Sequence, residues 1–298
     1  MSDRLLGFLQ LARPANILTA MADIAAGFAI ASSVSGWSLG DPMPAQFYWL
    51  LLATVGLYGG GVVLNDFFDA TLDATERPER PIPRGAVSRR EAGFFGALLL
   101  GLGVIAAYQH NLTSAFIAIA IVLLVILYDA YAKHHVVFGP LVMGSCRGAN
   151  LLLGVSAVTA ALAPLWWIGF VPLIYIGGIT LISQGEVHGG SARNLWIGLG
   201  LYGIAIGWLV SVRWVAPFDL LVAAPFLIVF LMIIIPPWRK AVKDLQAKQV
   251  GKAVKAGVLG LIPLNACFSA GFLGWPYGVA VLLLLPISLW IARKFAVS

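Results

Sequence analysis

Asn65, Asp66, Asp69 and Asp73 follow one another at the end of a long apolar run. On a helix of 3.6 residues per turn their spacing puts all four side chains within an arc of roughly 100°. Three carboxylates on one face repel each other, so something cationic belongs among them. Hard oxygen donors that leave room for water suit Mg²⁺, which bridges protein carboxylates to the phosphates of a substrate. The spacing therefore outlines a site for a diphosphate and Mg²⁺. The plainer reading is a solvated acidic helix end.

Other polar groups stand at comparable places. Downstream of the cluster, Arg77 to Gly85 reads Arg-Pro-Glu-Arg-Pro-Ile-Pro-Arg-Gly, in which Arg77, Arg80 and Arg84 alternate with stiffening prolines. A stiff basic loop beside an acidic helix end is a lid for an anion. Asp129 and Lys133 are four apart, the spacing of an acid–base pair on a helix. Lys133 also faces whatever anion the first cluster holds. His134 and His135 lack a third soft ligand and read as interfacial residues. A second polar exit, Ser183 to Gly190, contains Glu186 as its sole carboxylate, together with His188. Within apolar segments, Asp23 and Arg147 are the costly charges, and such residues mark a function, a partner, or both. Asp23 lies two turns beyond Asn16 on one face, and an Asp23–Arg147 pair would close the inner end of a cavity.

These residues must be positioned by membrane helices. Hydrophobic residues make up 60% of the chain, charged residues only 11%, and the mean hydropathy is +0.91. That excludes an ordinary soluble domain, whose charged fraction is about a quarter. We expect an all-α, polytopic membrane helical bundle of nine to ten spans around a central cavity. The apolar segments run approximately 15–35, 46–64, 92–110, 113–130, 139–160, 165–184, 194–212, 217–236, 254–274 and 276–292. Residues 1–298 read as one transmembrane domain with cap loops at about 65–91, 131–138 and 185–193. The segment before Pro14 reads as a short interfacial helix, and Pro236 to Lys255 as a basic one. Cys146 and Cys267 both fall inside apolar segments, which suits small core residues rather than a disulfide framework.

The net charge of +6 points to anionic lipid or diphosphate and not to nucleic acid, since no basic region lies in a domain able to hold a duplex. A cytoplasmic amino terminus puts nearly all Lys and Arg on the cytoplasmic side. Arg213 falls outside and Arg147 within a span. The expectation is a multi-pass protein with both termini cytoplasmic, as in a bacterial inner membrane.

The motif Asn65-Asp66-x-x-Asp69-x-x-x-Asp73, the downstream Arg80-Pro81-Ile82-Pro83-x-Gly85, and Tyr128 followed by Lys133 together resemble the UbiA superfamily of intramembrane prenyltransferases. Within it, Arg77 to Pro83, Cys146 to Asn150 and Gly185 to Gly190 look most like the EboC-type branch. The resemblance implies transfer of an isoprenoid group from a prenyl diphosphate to a small hydrophobic or aromatic acceptor. It implies Asn65, Asp66 and Asp69 as Mg²⁺ ligands with Asp73 in support, and Arg80 and Lys133 on the diphosphate. Arg77, Tyr128, Asn16, Asp23 and Arg147 are the further substrate-binding candidates. The family's second Asp-rich motif is replaced here by a stretch in which Glu186 alone could hold a metal, so Asp66, Asp69 and Glu186 are the catalytic candidates. A membrane carrier with a degenerate cavity is the alternative. An alcohol phosphotransferase is disfavoured because its Asp-Gly-x-x-Ala-Arg opening is missing. Oligomeric state is not legible.

Overall fold

Each long apolar run becomes a helix, because a backbone in hydrocarbon must satisfy its own N–H and C=O groups. The computed structural model describes residues 2–186 and 189–295, so His188 lies outside the described part. A short helix α1 (Asp3–Ala12) leads into α2 (Pro14–Ser35) and the long α3 (Ala45–Glu76). Then come α4 (Arg89–His110), α5 (Leu112–Leu127) with a π-helical turn at Tyr128–Ala132, and α6 (Phe138–Val155). The chain continues through α7 (Thr159–Leu165), α8 (Phe170–Ser183), α9 (Ala192–Ser211) and α10 (Leu220–Lys243). It ends with α11 (Ala247–Leu273), α12 (Trp275–Leu282) and α13 (Leu284–Phe295).

Nine helices or joined helix pairs among the described residues are long and apolar enough to cross a membrane. Helix α6 is not among them, although it packs inside the bundle against α2, α5 and α8. Its sequence carries Arg147 and Asn150, both buried against protein and therefore exempt from the composition that lipid demands. Close approach of α2 and α6 needs glycine: a Cβ on Gly154 would stand 2.7 Å from the Ile24 carbonyl oxygen. That contact brings Asp23 and Arg147 together.

Two boundaries differ from the sequence expectation. Helix α3 does not end at residue 64 but continues to Glu76, so the acidic cluster sits on helix and the first cap begins only at Arg77. Its polar face there is turned onto cations, which removes the reason for the helix to stop. Residues 236–255 are not a separate surface helix; they are the end of α10 and the start of α11, broken between Asp244 and Gln246. The Leu245 carbonyl in that break accepts from the Gly190 backbone N–H at 2.8 Å, tying it to the loop that carries Glu186. Helix α1 forms as expected but lies against protein. Phe8 stacks edge-on to Phe95 at 5.1 Å, Arg84 donates to Asp3 and Gln10, and Arg4 pairs with Glu91. Ser88 and Glu91 form a reciprocal capping box that starts α4 directly beneath.

Candidate functional site

Helix α3 presents the acidic cluster toward three cations brought from elsewhere in the chain. Arg13 Nη2 donates to Asp66 Oδ1 at 2.6 Å, and Arg80 Nη1 reaches the same oxygen at 3.2 Å and Asp73 Oδ2 at 2.6 Å. Lys133 pairs with Asp69. Asp66 and Asp73 are buried, while the Asp69 side chain is 18% exposed. Asp66 thus does not face a wet mouth.

Lys133 does not pair with Asp129, as its position four residues on would suggest. Lys133 follows the π-helical turn directly and reaches across to Asp69 on α3. Asp129 Oδ1 instead accepts from Asn65 Nδ2 at 2.9 Å. His135 caps the start of α6, its Nδ1 accepting from the Val137 and Phe138 backbone N–H groups, so it serves structure rather than metal.

Arg13 entered the sequence reading only through its charge. It joins α1 to α2 at φ 48°, the only positive φ among the described non-glycine residues. A left-handed residue of this kind costs roughly 1–2 kcal/mol and persists where the surroundings determine it. Here Pro14 opens the next helix and the Arg13 guanidinium holds Asp66. The Arg-Pro pair at the head of an apolar span was the available signal.

Glu186 stands half-buried in the turn after α8. Burial pushes its carboxyl above the ordinary range, against the opposing pull of Arg77, Arg13 and Arg80. Two cavities meet beside it. One, of about 470 Å³, has Gln10, Arg80 and Lys255 near apolar walls from Leu259, Leu289 and Phe295. The other, of about 320 Å³, runs inward past Asn65 and Tyr128 between Leu57, Ile121 and Ile176 to Arg147. Both are lined by Arg13, Asn16 and Glu186. Cys146 lines the inner cavity and is only partly buried, whereas Cys267 is a core residue.

At the inner end the expected pair is present: Arg147 Nε lies 2.7 Å from Asp23 Oδ2, an ion pair without hydrogen-bond alignment. Asp23 accepts from Asn150 at 2.9 Å and from Asn265 at 2.6 Å, and Arg147 Nη2 donates to Thr19 at 2.7 Å. The Arg147 guanidinium lies over the Tyr58 ring, 5.3 Å from its centroid. Asn265, Thr19 and Tyr58 were not singled out from sequence, because their partners are distant in the chain.

The donor set around Asp66 and Asp69 is all oxygen, which fits Mg²⁺. Among the described residues no three carboxylate, imidazole or thiol groups converge as a ready cage. Mg²⁺ takes one or two protein carboxylates and completes its shell with water and phosphate. The cluster can therefore hold a hydrated divalent cation and, with Arg13, Arg80 and Lys133, the diphosphate bound to it.

The UbiA prenyltransferase family matches residues 24–188, more than half of the chain. A digeranylgeranylglyceryl phosphate synthase of Methanosarcina mazei is 37% identical over 162 residues, spanning 52% of this chain and 56% of that protein. The same-named protein of Thermococcus kodakarensis is 32% identical over 51% of this chain and 52% of its own length. The chain thus spans about half the length of these relatives. The structure of a UbiA homolog from Aeropyrum pernix K1 superposes with TM-score 0.66 at 14% identity, covering 93% of this chain and 98% of that one. A UbiA homolog from Archaeoglobus fulgidus, bound to GPP and Mg²⁺, gives 0.59 at 17% identity, covering 93% and 99%. Identities this low establish the shared fold alone. The relatives are archaeal synthases rather than members of an EboC-type branch, and they lend no support to a bacterial inner membrane. The helical bundle, its acidic helix face and a family match over more than half of the sequence lead to one assignment: this chain belongs to the UbiA prenyltransferase family.

Proposed function

We propose that the protein is a Mg²⁺-dependent intramembrane prenyltransferase. The observation that carries this reading is the acidic face of α3 at one pole of the bundle, where Arg13, Arg80 and Lys133 hold Asp66 and Asp69, Asp66 lines the larger cavity and its neighbour Asn65 lines the inner apolar one. Asp66 and Asp69 would hold Mg²⁺, with Asn65 beside them and Asp73 fixing Arg80. When bound, the metal supplies positive charge to the departing diphosphate. The three cations bind and orient that diphosphate, and Arg77 lies near enough to Glu186 to hold the cap over it. The inner cavity encloses the prenyl chain and excludes water. The allylic C1–O bond breaks, pyrophosphate leaves with the electron pair, and the acceptor's nucleophile bonds C1 and loses its proton.

The relatives' names favour a lipophilic glyceryl phosphate as acceptor over the small hydrophobic or aromatic one that the family resemblance implied. The larger cavity suits such a molecule, with Lys255 and Gln10 near its mouth and an apolar wall along α13. Asn16 would sit between donor and acceptor, Tyr128 along the donor chain, and Arg147 at the floor, with Asp23 fully buried behind it. Purified protein with Mg²⁺ and prenyl diphosphates of several lengths should release pyrophosphate when a prenylglyceryl phosphate is supplied. Absence of pyrophosphate with every donor and acceptor would establish a carrier instead.

Glu186 separates transfer from binding, because only turnover requires charge stabilisation that grows as the diphosphate departs. Glu186→Gln should lower kcat at least about tenfold, roughly 1.4 kcal/mol, with a smaller effect on donor binding, and Glu186→Asp should keep part of the rate. Unchanged turnover in Glu186→Gln removes this carboxylate from the mechanism.

Both ends of the described chain, α1 and the last turn of α13, lie at the pole of the acidic cluster; Phe295 lines the same cavity as Arg13. We place that pole in the cytoplasm on the distribution of Lys and Arg. In a background lacking Cys146 and Cys267, Ser88→Cys should react with an impermeant thiol reagent from the cytoplasmic side and Ala216→Cys from the other. Reaction of both from one face refutes the arrangement.

A further inference from the structure

Lys255 stands on α11 about 12 Å along the helix axis from its first residue, Ala247. Helix α11 is long and apolar enough to cross a membrane, and a cation set that far into such a helix calls for a partner or a function. Lys255 enters none of the ion pairs among the described residues. It is exposed and lines the larger cavity. The other two cations of that cavity, Arg13 and Arg80, are already taken, since both hold Asp66. Its remaining carboxylates do not claim Lys255 either: Glu186 is drawn to Arg77, Arg13 and Arg80, and Glu79 sits exposed on the cap. Gln10 on α1 lines the same cavity. Its Oε1 accepts from Arg84 Nη2 at 3.0 Å, which leaves the amide Nε2 to donate elsewhere. Next to this polar rim the wall is apolar, with Val258 and Leu259 on α11 and Leu289 and Phe295 on α13. An uncommitted ammonium beside an apolar wall fits an amphiphile with an anionic head.

We infer that Lys255 selects the acceptor by its phosphate, with Gln10 as a second donor and the apolar wall of α11 and α13 along the lipid tail. The inference rests on the reading of the larger cavity as the acceptor's, and it names the group that tells a lipophilic glyceryl phosphate from the same lipid without its phosphate. Lysine suits this task as a compact point charge, while the planar arginine forks serve the diphosphate. Bilayer phospholipids offer related chemistry, a phosphate above an apolar tail. Their phosphate is a diester, however, and carries less charge than the acceptor's monoester.

The test measures equilibrium binding of geranylglyceryl phosphate, and of the same molecule lacking phosphate, to the full chain in nanodiscs of neutral phosphatidylcholine. Wild type should bind the phosphate form at least about tenfold more tightly, the size of one charge-assisted hydrogen bond. Lys255→Gln should lose most of that preference by weakening the phosphate form alone, with an unchanged melting temperature and unchanged Mg²⁺-dependent retention of geranyl diphosphate. Lys255→Arg should keep the preference. Lys252 is exposed on the same helix and does not line the cavity, so Lys252→Gln should behave as wild type. A preference retained in Lys255→Gln, lost equally in Lys252→Gln, or absent from wild type overturns the proposal. So does a preference that vanishes when phosphatidylglycerol replaces part of the phosphatidylcholine, because bulk anionic lipid then occupies Lys255. Pyrophosphate release in the same preparations keeps the two readings apart: release without the preference leaves transfer standing without Lys255, and the preference without release leaves the Lys255 site standing and removes transfer.

Discussion

Asp69→Asn should abolish Mg²⁺-dependent retention of a prenyl diphosphate and lower kcat/KM by about 10³, roughly 4 kcal/mol of transition-state stabilisation, while leaving the fold nearly as stable as before. The magnitude follows from the role: this carboxylate acts on metal and diphosphate together, so its loss is felt in both binding and bond breaking. The intact fold follows from its surroundings. Asp69 is the most accessible of the three carboxylates of the cluster, its side chain 18% exposed, and Lys133 is its one hydrogen-bond partner among the described residues. Asp66→Asn should lose the same Mg²⁺-dependent binding but also stability, on the order of 1–3 kcal/mol, since Arg13 and Arg80 both rely on its Oδ1. Equilibrium binding of a labelled prenyl diphosphate with and without Mg²⁺, alongside melting curves, separates the two variants. Retained Mg²⁺-dependent binding in Asp69→Asn removes the cluster from the site.

That difference between neighbouring aspartates was invisible in the sequence, and the reason is physical. Helical spacing showed that Asn65, Asp66, Asp69 and Asp73 share a face, because a helix fixes those relations locally. Which of them is buried depends on Arg13 and Arg80, and the Arg13 contact joins residues 53 apart in the chain. The spans were legible wherever a helix meets lipid on one side, as with α5 and α10. The assignment needed more than hydropathy at α6, whose buried Arg147 and Asn150 are satisfied by protein. The far end of α3 was misplaced for a related reason. Polar residues beginning at Asn65 looked like a membrane exit, yet their partners are other side chains, so the hydrogen-bond ladder runs on to Glu76. Asp129 and Lys133 illustrate the limit of local rules: their spacing permits a pair, yet each is taken by a residue of α3, Asp129 by Asn65 and Lys133 by Asp69, 64 residues away in the chain.

The Asp23–Arg147 pair is the place where stability and substrate recognition must be pulled apart. Asp23 is fully buried, and its oxygens take Asn150, Asn265 and the Arg147 charge. Arg147→Met should therefore destabilise the protein by about 3–5 kcal/mol, the usual consequence of leaving one buried charge without its counterion. Asp23→Leu combined with Arg147→Met should recover most of that loss, because a well-packed apolar pair replaces both charges and neither is left alone. Activity gives the second reading. Arg147 lines the inner cavity and carries an Nη1 that has no acceptor among the described residues, so it can donate to an oxygen of a bound substrate. If it does, the double variant folds like wild type but keeps a raised KM for one substrate, with kcat less affected. If the double variant recovers stability and KM together, Arg147 serves only to neutralise Asp23 and has no part in recognition. Should the double variant stay as unstable as Arg147→Met, the ion pair is not what holds α2 to α6, and the glycine contact between Gly27 and Gly154 carries that packing instead.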